Sequence, residues 1–253
     1  MKRLMTGLAR RAGYEVQPHW RMPRLAAARK LRRLFDLLEI RYVLDVGANT
    51  GQFRDFLRLE VGFSGVIHSF EPIAALVSTL RQRKSDDDSW FIHPYALGAR
   101  SDEREINVMS STVFSSFLEP NNALVPQFQS LNSVASKERV TIRRLDELLD
   151  TELHAADLGR TYLKLDTQGF DLEVLEGGRM AIAGIPALQT EISMQPIYER
   201  MPAFTDSLAA FADAGFAVSD FFLVSEDKYL RANEFDCLMV RDPSTPRIDP
   251  ARM

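Results

Sequence analysis

The sequence predicts an α/β fold: a mostly parallel seven-stranded sheet with helices on both faces and an antiparallel C-terminal hairpin. Three observations carry this expectation. From Arg41 to Ile192, short β-branched or apolar runs alternate with helix-compatible segments, the pattern of right-handed crossover units. The run Val43-Leu44-Asp45-Val46 ends in the turn Gly47–Gly51 and a helix start, the way a strand feeds a ligand-binding helix N-terminus. The last two apolar runs, Phe216–Val224 and Phe235–Val240, read as the edge hairpin.

With 253 residues, 45% hydrophobic and 26% charged, the chain can bury roughly three-quarters of its unfolded surface. One domain, residues 41–243, is expected after a basic arm and helix at 1–40 and before a tail at 244–253. Cys237 is the single cysteine; it has no internal disulfide partner and reads as buried packing. No apolar stretch reaches the ~18–20 residues of a membrane span. Arg10 and Arg11 interrupt the N-terminal apolar stretch too early for a signal peptide, so a cytoplasmic chain is expected. Net charge is −4, yet residues 1–33 carry Glu15 as their one acid among many Lys and Arg. That arm suits an anionic carrier protein, a membrane surface or a pyrophosphate-linked substrate. Nucleic acid is not expected, because no basic–aromatic interleaving recurs and the rest of the chain is acidic.

In order, residues 22–39 read as a helix, with Leu31, Leu34, Phe35 and Leu38 on one face, packed on the main domain or over its cleft. Tyr42–Val46 is a strand and Thr50–Leu59 its helix. Gly65–Phe70 is a strand, Ile73–Arg83 a helix, Lys84–Ser89 a polar turn and Trp90–His93 a strand. Glu105–Met109, Val140–Arg143 and Tyr162–Leu165 read as further strands. Phe170–Ala183 reads as one helix, and Ala187–Ile192 as a strand. A helix carrying Phe204, Leu208 and Phe211 stops at Gly215.

In such sheets ligands sit beyond the carboxyl ends of the strands. An acid before the glycines, with no Gly-x-Gly-x-x-Gly, favours S-adenosylmethionine over a dinucleotide, whose pyrophosphate Asp45 would repel. Asp45 suits the donor's ammonium. The turn through Gly47, Asn49 and Gly51 suits its carboxylate, through backbone N–H groups. Glu71, ending the second strand, suits both ribose hydroxyls. Tyr95, Ala96 and Leu97 follow the third strand and suit the adenine.

The chain resembles the FkbM-type methyltransferases. The resemblance rests on residues 43–51, Phe70-Glu71-Pro72, Ala96-Leu97-Gly98, Arg144–Leu149, Leu188–Ile192 and above all Leu163–Gly177, which contains Lys164-x-Asp166-x-x-Gly169. It implies a Rossmann-like class I methyltransferase fold and S-adenosylmethionine-dependent O-methylation of a small hydroxylated acceptor, a sugar or polyketide-like molecule. One position departs: the family usually carries an acid where this chain has Gln168.

Methyl transfer is an in-line displacement, and an alcohol acceptor needs its proton removed. Asp166, following a strand and preceding a glycine, is the first candidate for that work. Glu191 and His93 are further candidates. Glu191 could pair with Asp166 around a divalent ion, but two acids without a nearby histidine are weak evidence for one, and no metal is expected. The serine- and asparagine-rich residues 110–135 read as a binding loop in which Ser115, Ser116 and Phe117 meet the acceptor, with Gln195 on the same wall. Two other functions fit the pattern less well: a non-catalytic S-adenosylmethionine-binding module, kept open by Gln168, and a nicotinamide-dependent oxidoreductase.

Overall fold

The computed structural model describes residues 21–121, 129–153 and 156–241; the first part of the basic arm and the C-terminal tail lie outside them. Helix α1 (Met22–Leu37) leads into β1 (Tyr42–Val46). Helix α2 (Gln52–Phe56) follows the glycine turn and passes into a π-helical turn, Leu57–Val61, that Gly62 ends at φ +80°. Next come β2 (Val66–Phe70), α3 (Ala74–Arg83), β3 (Trp90–His93), β4 (Ala96–Leu97), β5 (Asp102–Met109) and β6 (Val134–Arg143). The chain continues through β7 (Thr161–Leu165), α4 (Asp171–Gly177), α5 (Arg179–Gly184), β8 (Ala187–Ser193), α6 (Phe204–Asp213), β9 (Phe216–Glu226) and β10 (Ala232–Arg241).

The main sheet has the expected seven strands, in the order β3-β2-β1-β7-β8-β10-β9. The first five are parallel; β10 is antiparallel to β8 and to β9. Alternation along the strands sorts side chains to two faces. Val43, Ile67, Tyr162 and Leu238 pack with Leu31, Leu34 and Phe35 of α1 and with Leu57. Leu44, Val46, Leu163 and Leu188 pack with Val174, Ile182 and Phe211 of α4, α5 and α6. Helix α1 thus covers a sheet face and contributes no wall to the cleft described below. Cys237 is buried in the second of these layers. Among the described residues, no helix is long and apolar enough to cross a membrane.

Two elements depart from the sequence reading. The helix expected over Phe170–Ala183 is broken at Gly177-Gly178 into α4 and α5. The backbone leaves helical geometry at Gly178 (φ −120°, ψ 22°), and Gly177 lies hard against the Gly98 carbonyl, where a Cβ would collide with backbone. The strands expected at 105–109 and 140–143 are longer and leave the main sheet. With β4 they form a three-stranded sheet, β4-β6-β5, in which β5 and β6 pair antiparallel. This small sheet carries the segment Thr112–Phe117 over the carboxyl ends of the main sheet.

The Gly177–Gly98 approach fastens the small sheet to α4. Gly177→Ala is expected to cost about 2 kcal/mol or more, as overpacking at a buried site does. Urea unfolding of the variant measures this, and an unchanged midpoint would contradict the contact.

Candidate active site

Two turns meet at the carboxyl ends of β1 and β7. Gly47 takes φ +83°, and a Cβ on it would overlap the Asp166 carbonyl. Backbone bonds lock the approach: the Asp166 N–H donates to Val46 O at 3.0 Å, and the Gly47 and Ala48 N–H groups donate to Phe70 O at 3.0 and 3.1 Å. The strand ends therefore sit close enough for Asp45, Glu71, Lys164 and Asp166 to face one open cleft. It holds about 920 Å³ of empty space, counting open solvent at its mouth. Gly51 serves differently. At φ +86°, a Cβ there would press on Trp90 and Leu80, so it packs the turn and does not line the cleft.

Glu71 is 4% exposed. One oxygen accepts the Asn49 N–H at 2.8 Å and the other the Ile73 N–H at 2.9 Å, so both turns beside it hold the carboxylate. Asn49 reaches that position with φ 48°, a conformation Asn tolerates better than most residues. Burial pushes the Glu71 carboxyl up to about 7, against the pull of the two backbone bonds. Asp45 is 1% exposed and accepts from Ser69 Oγ at 2.9 Å, which in turn accepts from Trp90 Nε1. Burial raises Asp45 to about 6; the Ser69 bond and Lys164 oppose that shift.

Ala96, Leu97, Ile73 and Leu76 give the cleft an apolar end, closed by Phe117 and Phe170. The two rings lie 4.7 Å apart, with the Arg104 guanidinium over both. Thr112 and Ser115 roof the opposite part, and Asn49 Nδ2 donates to Thr112 Oγ1 at 3.2 Å.

Asp166 has a 37% exposed side chain between Lys164 Nζ at 3.3 Å and Gln168 Nε2 at 3.0 Å. Gln168 also donates to Glu191 Oε2 at 2.6 Å, and the Tyr198 hydroxyl donates to Gln168 Oε1 at 2.8 Å. Its amide therefore bridges two carboxylates, where an acid would have set a third beside them. Burial, and then Asp166, hold Glu191 well above the usual carboxylate range.

The residues singled out from sequence fall into two groups. Asp45, Gly47, Asn49, Glu71, Ala96, Leu97, Ser115, Phe117 and Asp166 line the cleft. Gly51, Tyr95, Ser116, His93, Glu191 and Gln195 do not. The Tyr95 hydroxyl turns to Glu152 at 2.6 Å, and the Ser116 hydroxyl donates to Gln168 O at 2.7 Å. His93 sits between His68 at 3.0 Å and Glu152 at 2.6 Å, and burial lowers its pKa. Its ring is committed on the far side of Phe70, against which it stacks at 4.7 Å. Glu191 borders a separate, smaller hollow beside Thr190 and Met201. Sequence reasoning left Phe170 and Lys164 without a place in the site and had Thr112 only within the expected binding loop. Of these, Lys164 had a signal, its fixed spacing from Asp166.

The raised acids set the pH response of the fold. Unfolded, Glu71 ionises near 4.5; folded, near 7. Between those values the folded chain holds a proton that the unfolded chain has released, so stability falls as pH rises through the window. Asp45 acts in the same sense up to about 6. Denaturation of ligand-free protein is expected to need less urea at about pH 7 than at about pH 5, with Glu71→Gln flattening the slope. Stability that rises with pH across this interval would contradict the burial of these groups.

The model of the Methyltransferase FkbM domain matches residues 45–218. The chain is similar to the crystal structure of a methyltransferase FkbM from Methylobacillus flagellatus KT (18% identity, 79% of this chain and 43% of that chain, TM-score 0.49). It thus spans less than half the length of that protein. It is also similar to magnesium protoporphyrin IX methyltransferase (ChlM) from Synechocystis PCC 6803 with bound SAM (10% identity, 92% and 89% covered, TM-score 0.45). A further likeness is to Aeropyrum pernix fibrillarin in complex with natively bound S-adenosyl-L-methionine (12% identity, 85% and 74% covered, TM-score 0.45). No curated protein matches the chain. The family match spans more than half the chain, runs from Asp45 past Glu71 to Asp166 and Gln168, and takes in the residues that build the cleft: the chain belongs to the FkbM methyltransferase family.

Proposed function

We propose that this protein transfers the methyl group of S-adenosylmethionine to a hydroxyl of a small, hydroxyl-rich acceptor, sugar-containing or polyketide-like. The observation that carries the reading is Glu71, a buried carboxylate at the cleft wall held by two backbone amides. Each of its oxygens accepts one N–H and retains a further acceptor position, which suits a pair of ribose hydroxyls. Asp45, beside the turn that Gly47 keeps thin, suits the donor's ammonium. The apolar end formed by Ala96, Leu97, Phe117 and Phe170 suits a purine.

Bound there, the sulfonium would supply an activated methyl group. The protein's work is then alignment, which contributes ~7–11 kcal/mol in well-oriented reactions, and removal of the acceptor's proton. In this reading Asp166 takes that proton. It is the partly exposed acid at the cleft, and Lys164 and Gln168 fix its two oxygens. Ser115 and Thr112 in the roof offer hydroxyls to a polar acceptor, and the Phe117 ring offers a face to its apolar side.

Two measurements test this reading. Glu71→Ala is expected to weaken S-adenosylhomocysteine binding in calorimetry by about a hundredfold or more, because two hydrogen bonds to a charged group are worth ~1.5–3 kcal/mol each. Undiminished affinity would sink the site. Asp166→Asn is expected to lower kcat by about 10²–10⁴-fold with the donor's affinity little changed. A variant retaining full turnover would remove Asp166 as the base.

A further inference from the structure

Lys164 is the one cationic side chain among the described residues that line the cleft; the other charged groups there are Asp45, Glu71 and Asp166. It is 5% exposed at its side chain. A buried ammonium ordinarily closes on a partner at ~2.7–2.9 Å. Its contacts are all longer: Leu165 O at 3.3 Å, Asp166 Oδ2 at 3.3 Å and Asp236 Oδ1 at 3.4 Å. The acids around it hold its pKa well above the usual lysine value despite burial, so it is charged. The sequence reading gave it no ligand and left the donor's carboxylate to backbone N–H groups.

Its position in the sheet sets what it faces. Lys164 on β7 and Asp45 on β1 are register partners in a parallel pair. Both therefore emerge on the same face, side by side, at the floor of the cleft. Asp45 turns to Ser69 at 2.9 Å and Lys164 toward Asp166 and Asp236. Adjacent strands thus present one negative and one positive group, spaced as neighbours and each turned to other partners. An α-amino acid carries the complementary pair on one carbon: an ammonium and a carboxylate. Asp45 alone would attract the first and repel the second. We propose that Lys164 receives the carboxylate of the donor's methionine moiety while Asp45 receives its ammonium, so that the two strands together read the zwitterion. The inference rests on the S-adenosylmethionine reading and deepens it: the site requires the intact amino-acid end, beyond the nucleoside and the sulfur.

The test compares S-adenosylhomocysteine with its decarboxylated analogue, which keeps the amine and lacks the carboxylate. Calorimetry is run on the wild-type protein, Lys164→Gln and Lys164→Arg, each checked for a folded circular-dichroism spectrum. Wild-type protein is expected to prefer the carboxylate-bearing ligand by roughly tenfold or more, as one charge-assisted bond implies. Lys164→Gln should lose that preference by weakening only the carboxylate-bearing ligand, and Lys164→Arg should restore most of it. Equal weakening of both ligands in Lys164→Gln would overturn the proposal, since a lysine that only neutralises buried acids would act on both alike. Absence of any preference in the wild-type protein would overturn it without any variant. Failure of both ligands to bind wild-type protein would instead sink the cofactor reading itself.

Discussion

The site depends on how closely two backbone turns approach. The loop leaving β1 lies on the loop leaving β7, with Gly47 against the Asp166 carbonyl and no room for a Cβ between them. Their strands are parallel and in register from Tyr42 and Thr161 to Val46 and Leu165, so both loops start at the same height. Asp45 and Lys164 then stand side by side, Asp166 projects just beyond them, and Glu71 closes the row from β2. Any larger residue at 47 would force the loops apart and separate the acids that the cleft brings together. Gly177 repeats the device at the Gly98 carbonyl, where it binds the small sheet to α4 and so fixes the roof over the cleft.

The charges gathered there are costly to bury. Asp45 and Glu71 are almost wholly buried, and burial drives both toward the protonated form. Hydrogen bonds from Ser69, Asn49 and Ile73 offset part of that cost. At Asp45, Lys164 offsets a further, smaller part than the Ser69 bond does. A ligand that brought hydroxyls to Glu71, an ammonium to Asp45 and a carboxylate to Lys164 would satisfy all three at once. In this account the binding energy comes from groups that folding leaves only partly compensated.

Much of this was legible in the chain, for reasons that differ by residue. Strand positions followed from β-branched runs and were read closely: β1 and β3 fell on the expected residues. Residues at or just past the carboxyl ends of the strands of a parallel sheet face its crevice by topology, so Asp45, Glu71 and Asp166 could be placed at the cleft without coordinates. The small sheet was not legible, because no local pattern states that residues 102–109 and 134–143 pair with each other and leave the main sheet. The break between α4 and α5 was hidden for a similar reason. Two adjacent glycines suggest a weak helix, but the long-range approach of the Gly98 carbonyl to Gly177 is not written in the local sequence. His93 misled because a histidine near a strand end looks like a base, while its long-range partners His68 and Glu152 lie 25 and 59 residues away. Gln168 was marked as a departure, yet its bridge between Asp166 and Glu191 depends on β8 lying beside β7.

The most direct test of the account is a crystal structure with S-adenosylhomocysteine bound. The account requires both ribose hydroxyls within about 3.2 Å of the Glu71 carboxylate, with the amino-acid end at the Gly47 turn. Density for the nucleoside outside this cleft, or a Glu71 carboxylate turned away from the sugar, would contradict it.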